Sequence, residues 1–463
     1  MAIADEAKEE TSDEQQPVSY YKDIRPIFQA NCHGCHQPAR RNGEYEMTIF
    51  ENLVRGGESE EASIVAGEPK KSYLIDQIAV LGGEAAMPKD KPPLSDTQIA
   101  LITRWIAEGA KDDSPASDRP KYDMQNPPVY NLPPVITSLD YSPDGKLLAV
   151  SGYHEVLVHD VSDPAQAGTK LVARLVGLSE RIESATFSPD GTKLTVAGGN
   201  PGRMGEIQVW ELKDLKSPRL TLSVPTTYDT VYGAAWSPDM KLLTYGCGDS
   251  TLGRHDSTHG EQRVFMGSHT DWVRDTIVSR DGKKVVSVGR DMTVKMTDVA
   301  TQRFLGNVTT HTPGVLRGGM IGVDRHPARD EVVVACADGK PKLFRMDVKA
   351  APAGGGNPNQ IREYAAMPGR VFDVKFSADG KRFVAGSSLD GKGHVWIFET
   401  DSGKKLSQAE GERGGVYAVA FSPDGKTIAF GGFDGSVSIA DAANAKVIKE
   451  FVPVEIAGNV ANN

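Results

Sequence analysis

Between residues 142 and 425 a turn of Ser-Pro-Asp-Gly type returns seven times, a rhythm that a single globular core does not generate. The turn aspartates are Asp144, Asp190, Asp239, Asp281, Asp330, Asp379 and Asp424, spaced by 46, 49, 42, 49, 49 and 45 residues. Repeats of about 40 to 50 residues are supersecondary units that bury their apolar faces only against their neighbours, and this period marks propeller blades. A second marker runs in step. Acidic residues close each third strand at Asp160, Glu211, Asp256, Asp298, Asp347, Glu399 and Asp441. Five of them lie 16 or 17 residues past the turn aspartate, and Gly-rich insertions at 198–205 and 390–393 lengthen the other two intervals. Together the markers predict seven blades over residues 131–456.

The position before each closing acid holds His159, Trp210, His255, Thr297, Met346, Phe398 and Ala440. In an ideal WD40 repeat that pair reads Trp-Asp, so the repeats resemble WD40 architecture in degenerate form. The resemblance implies a structural role for His269 within its blade. His159 and His255 fill tryptophan slots, and Asp249, Asp291, Asp338 and Asp434 sit where a tight turn wants an aspartate. Cys247 and Cys336 occupy matching second-strand positions in non-adjacent blades, too far apart for a disulfide, and read as small buried hydrophobes. None of these residues is read as catalytic.

Ahead of the repeats stands Cys32-His33-Gly34-Cys35-His36. Cys-x-x-Cys-His is the attachment signature of a c-type haem, in which each thiol forms a thioether and the adjacent histidine takes the iron. A zinc site would need further ligands, and apart from His33 and His36 no His or Cys joins the pair within the first 120 residues. A thioredoxin-like pair would need a βαβ setting, whereas the flanks have helical periodicity. Tyr20, Tyr21, Ile24, Ile27 and Phe28 form an apolar stripe that delivers Cys32 at a helix end. Ile99, Leu101, Ile102, Trp105 and Ile106 form another, started by Ser95-Asp96 and stopped at Gly109. For the second axial position of the iron the methionines of this region are Met47 and Met87; Met47 follows His36 too closely, so Met87 is the expected ligand. His33 is expected to face away from the iron, at the surface.

The runs Tyr21-Lys-Asp-Ile-Arg-Pro-Ile-Phe, Asn31-Cys-His-Gly-Cys-His, Gly56-Gly57, Ala66-Gly67-Glu-Pro, Ser72-Tyr-Leu-Ile, Met87-Pro88 and Trp105-Ile-Ala-Glu-Gly-Ala resemble the planctomycete-type cytochrome c domain, over residues 18–112. The resemblance implies a periplasmic or otherwise exported location. It carries over Cys32 and Cys35 as haem thioethers and His36 and Met87 as axial ligands of one covalently attached haem c. Family members read Met-Pro-Pro where this chain has Met87-Pro88-Lys89.

The remaining sequence is punctuation. Residues 1–17 open with six carboxylates and one lysine in the first 16 positions and read as a disordered acidic leader. Ala2-Ile3-Ala4 has the small residues of a cleavage-site remnant, so the signal peptide is read as absent from this sequence. Residues 113–130 are rich in proline and read as a semi-rigid linker, and 457–463 as a tail. The net charge of -10 and the lack of a dense basic stripe argue against nucleic acid. No stretch has the roughly 18 to 20 apolar residues of a membrane helix.

The expected fold is therefore multidomain: a small all-α cytochrome c domain followed by an all-β seven-bladed WD40-like propeller. The expected function is single-electron transfer, with the propeller docking a redox partner protein or recognising a ligand. The alternatives are a periplasmic redox enzyme with its substrate site on the propeller, and a haem-based sensor or scaffold.

Overall fold

The computed structural model describes residues 16–37, 40–89, 91–115, 122–165, 169–227, 229–256, 262–265, 269–309, 319–347, 357–409 and 413–457. The acidic leader, apart from residues 16 and 17, lies outside the described residues, as does most of the tail. The chain divides into two compact units, 1–121 and 122–463.

The first unit is built on four short helices: α1 (Arg25–Asn31), α2 (Phe50–Arg55), α3 (Tyr73–Ile78) and α4 (Asp96–Ala107). A π-helical turn, Tyr20–Ile24, runs directly into α1. Both apolar stripes do what their spacing implies. Tyr20, Ile24, Ile27 and Phe28 are buried from one side and Ile102, Trp105 and Ile106 from the other. The Trp105 ring is the meeting point, stacked at 5.3 Å on Tyr20 and edge-on at 6.5 Å to Phe28. Helix α4 begins with a reciprocal cap in which the Ser95 hydroxyl accepts the Gln98 N–H while the Gln98 side chain accepts the Ser95 N–H. It ends where Gly109 turns into the left-handed region at φ 101°.

The second unit is all β. Five sheets have four antiparallel strands each, and a seven-stranded sheet supplies the other two blades. These two share one 18-residue strand, Lys170–Phe187, whose first half is the outer strand of blade 1 and whose second half is the inner strand of blade 2. The remaining inner strands are Leu139–Tyr141, Val231–Trp236, Val273–Val278, Met320–Arg325, Arg370–Phe376 and Val416–Phe421. Alternate residues of the strands meet between successive blades. One such cluster joins Leu148, Val150 and Leu157 of blade 1 to Ala418, Ala429 and Ile439 of blade 7, closing the ring. Closure is secured by the Ile136 N–H donating to the Gly432 carbonyl at 2.9 Å and by a parallel bridge between Tyr130 and Ile456. Within the segment 113–130, residues from Tyr122 onward belong to this unit, and the Arg174 guanidinium holds the Pro128 carbonyl at 2.7 Å.

The turn chemistry explains the repeat. Ser142 donates to Asp144 at 2.6 Å, and the same pair recurs in blades 2, 3, 4, 6 and 7. Blade 5 departs from the expected register. There His326 takes the serine's place, its N–H bonding to the Glu331 carbonyl as that of Ser142 bonds to Leu147. Its Nδ1 accepts the N–H groups of Ala328 and Arg329 at 3.1 and 2.9 Å. The turn position is therefore Ala328 rather than Asp330. Because Val332 pairs with Phe344 as Leu148 pairs with His159, the tryptophan slot holds Phe344 rather than Met346, and Arg345 rather than Asp347 closes the strand. The count of seven blades is unaffected.

Candidate functional site

Helix α1 ends at Asn31, and the motif follows as a tight turn. The Cys32 and His33 N–H groups both reach the Phe28 carbonyl, at 2.8 and 3.0 Å, and the Cys35 and His36 N–H groups fold back on the Cys32 carbonyl at 3.0 and 3.1 Å. This turn brings Cys32, Cys35 and His36 to the wall of one cavity of about 500 Å³, within the size range of cofactor pockets. Met87 lines the same cavity, held by its N–H to the Gln77 carbonyl at 2.8 Å near the end of α3. Leu74, Ile78 and Leu94 give it apolar walls.

His36 is oriented by its surroundings. Its Nδ1 lies 3.3 Å from the Tyr45 carbonyl, which can only accept, so the neutral ring carries its proton there and its lone pair on Nε2. Tyr45 is itself fixed, donating to the Leu53 carbonyl at 2.8 Å. Burial pushes the Cys32 thiol up to about 12, the reverse of the lowered value that a thiol–disulfide exchange pair requires. Among the described residues no three His, Cys, Asp or Glu side chains are grouped so as to hold a bare metal ion. Two thiols and one oriented imidazole on the rim of a large apolar cavity fit a covalently tethered haem.

Two residues differ from expectation. His33 does not lie at the surface: it is 5% exposed, because it is the last residue to bond back onto α1 and the backbone at Met47 covers it. It does not line the cavity. Met47 also contributes to the cavity wall, 2% exposed, with its N–H on the His36 carbonyl at 3.0 Å. Nothing in the sequence spacing signals the Tyr45 carbonyl as the partner of His36, since that contact depends on where the chain returns after the motif.

The profile of the planctomycete cytochrome c family matches residues 32–91, the span of this cavity. The profile of the WD domain G-beta repeat matches 260–298 and 359–396, and that of the WD40 domain of anaphase-promoting complex subunit 4 matches 389–455. The chain joins a planctomycete-type cytochrome c domain to a WD40-like propeller. Relatives of this cytochrome–propeller fusion include eukaryotic translation initiation factor 3 subunit I of Nematostella vectensis. That protein is 23% identical over 260 residues, 56% of this chain and 66% of its own length. Protein groucho of Drosophila melanogaster is 24% identical over 307 residues, 66% of this chain and 38% of its own length. The subunit I of Drosophila willistoni is 24% identical over 280 residues, 59% of this chain and 70% of its own. The fusion thus spans just under two-thirds of the first relative and well under half of the second.

Two of the propeller histidines sit in hydrogen-bonded positions within their blades. In blade 4 His269 bridges Asp291 at 3.0 Å and Ser287 at 2.8 Å, and in blade 1 His159 holds the Pro453 carbonyl at 3.1 Å. Asp249, Asp291, Asp338 and Asp434 each accept the N–H two residues on, as turn aspartates do. Cys247 and Cys336 are buried. Among the described residues no helix is long and apolar enough to cross a membrane.

Proposed function

We propose that the fusion is an exported single-electron carrier with one haem c attached through thioethers at Cys32 and Cys35, with His36 and Met87 as its axial ligands. The observation that carries the reading is the convergence of those four side chains on one apolar cavity. A haem held there supplies one-electron exchange at a potential set by its axial ligands and its burial. The chain does the rest. Cys32 and Cys35 tether, the Tyr45 carbonyl fixes the tautomer and plane of His36, and Leu74, Ile78 and Leu94 exclude water. Met87 is preferred over Met47 because Met47 is tied by its backbone to His36 and so rises from the same wall, whereas Met87 comes from a separate loop anchored on α3. The propeller, which carries carboxylates but no histidine among the described residues of its channel wall, is read as the docking or recognition module rather than a catalytic one. Export follows the cytochrome family.

The test is the visible spectrum of haem-matured protein, oxidised and reduced, with and without carbon monoxide. Low-spin spectra, a methionine-to-iron band and indifference to carbon monoxide are expected. A high-spin spectrum with ready carbon monoxide binding would replace the carrier by a sensor. That second reading draws on one observation: the loop before Met87, Leu81 to Glu84, is exposed.

A further inference from the structure

The propeller's central channel encloses a cavity of about 670 Å³. Six of the seven inner strands reach it through the same irregularity, a β-bulge after their first or second residue pair. A bulge re-aims a side chain that a regular strand would point elsewhere. The bulged residues are Glu183, Tyr232, Arg274, Ile321, Phe372 and Tyr417, and all six line the cavity.

Most charged groups on this wall are already engaged. Asp140, Asp275, Asp324 and Asp373 each accept a backbone N–H from the inner strand of the next blade, at 2.7, 3.0, 2.7 and 3.0 Å. Lys375 lies 3.8 Å from Asp373, Arg325 donates to the Val278 carbonyl at 3.1 Å, and Arg181 pairs with Glu183 at 3.0 Å. Arg274 is different: among the described residues its guanidinium makes no hydrogen bond and no ion pair within 4.0 Å. It lies 4.6 Å from the ring centroid of Tyr232 and 5.0 Å from that of Trp272, two rings stacked at 5.6 Å. The aromatic faces hold the guanidinium and leave its N–H edge unused. Glu183 feels the charges of both Arg181 and Arg274, with its Oε1 3.0 Å from Arg181 but closing no hydrogen bond there. A planar fork of N–H donors held in place matches a carboxylate bidentately. Elsewhere on the wall, Phe372 and Tyr417 present rings 4.9 Å apart.

We propose that the channel mouth binds a carboxylate carried on an apolar or aromatic body, the carboxylate on the Arg274 fork and the body against the bulge-ring aromatics. This rests on reading the propeller as a recognition module. The carboxylate comes from a free organic acid or from the C-terminus of a partner chain.

The test is calorimetric titration of the full chain with 3-phenylpropionate, its primary amide, and a short peptide ending in phenylalanine with a free or amidated terminus. Each acid is expected to bind about tenfold or more tightly than its amide, the weight of a charge-assisted bond. Arg274→Gln should erase the difference, and Arg274→Lys, which keeps the charge without the fork, should retain part of it. Circular dichroism and the unfolding midpoint establish that both variants are folded. A free-acid peptide that outbinds phenylpropionate assigns the site to a chain terminus, and the reverse order assigns it to a small acid. Acid and amide binding alike, or an unchanged Arg274→Gln titration, would overturn the carboxylate site while keeping the channel as a recognition surface. Silence from all four probes would overturn channel recognition as well and leave docking to the outer faces.

Discussion

His159 and the two cavity methionines show what single residues decide. His159 is buried in blade 1 with one hydrogen bond, to Pro453, and burial lowers its pKa to about 4. Its folded value lies below the ordinary 6.5, so the folded propeller binds fewer protons than the unfolded chain between pH 6.5 and 4. The stability it contributes is full above pH 6.5 and lost as the pH falls through about 4, at most about 3 kcal/mol. Urea unfolding of wild type and His159→Gln at pH 7 and pH 4.5 should show a smaller acid loss in the variant; equal losses would contradict the assignment. In the other unit, Met87→Ala should open the iron to carbon monoxide while Met47→Leu leaves the spectrum low-spin, and the opposite pattern would exchange their roles. That Cys32, Cys35 and His36 meet at one cavity was legible because their close spacing leaves only a single tight turn between them. The burial of His33 and the approach of Met47 were not, since both depend on how the chain after the motif folds back on it.

At the scale of elements, the Ser-Asp turn made the blades countable from sequence because each such turn closes the same hydrogen bonds. Blade 5 hid its register because an imidazole caps the turn in place of the serine and aspartate, accepting the N–H groups two and three residues on rather than four and five, and the nearest aspartate lies two residues late. His326→Ala should cost about 1–2 kcal/mol by leaving the Ala328 and Arg329 N–H groups without their acceptor. The double change His326→Ser with Ala328→Asp should recover most of it, measured by thermal unfolding; a double variant no better than the single one would refute the equivalence. The inner strands carry a second element-level device. Lys375 stands among Asp140, Asp275, Asp324 and Asp373, and burial first of all raises Asp140 to about 7 and Asp275 to about 6. Lys375→Met should destabilise the propeller by about 1–3 kcal/mol at pH 8, with the loss shrinking toward pH 5 as those carboxylates take up protons. A loss independent of pH would mean that the lysine acts by packing alone. No sequence pattern announces this cluster, because the four aspartates come from four different blades.

For the whole molecule, the apolar clusters fall into two sets that share no residue, one around Trp105 and the others between successive blades. The two units therefore have separate cores, and replacing Cys32 and Cys35 by alanine should remove bound haem while leaving the propeller's unfolding midpoint unchanged. The division into a helical and a β unit was legible from the change in periodicity, from helical stripes before residue 113 to the long repeat after 131. The apolar cavity that gives the motif its setting was not, because it is assembled from the motif turn, α3 and the Met87 loop. The account stands on that cavity holding a covalently attached haem. The most direct measurement is the intact mass of chain matured in cells that attach c-type haem, taken after acid denaturation and compared with the Cys32→Ala/Cys35→Ala variant. The account predicts one haem retained per wild-type chain and none on the variant. A wild-type chain that emerges at the mass of its polypeptide alone would contradict it.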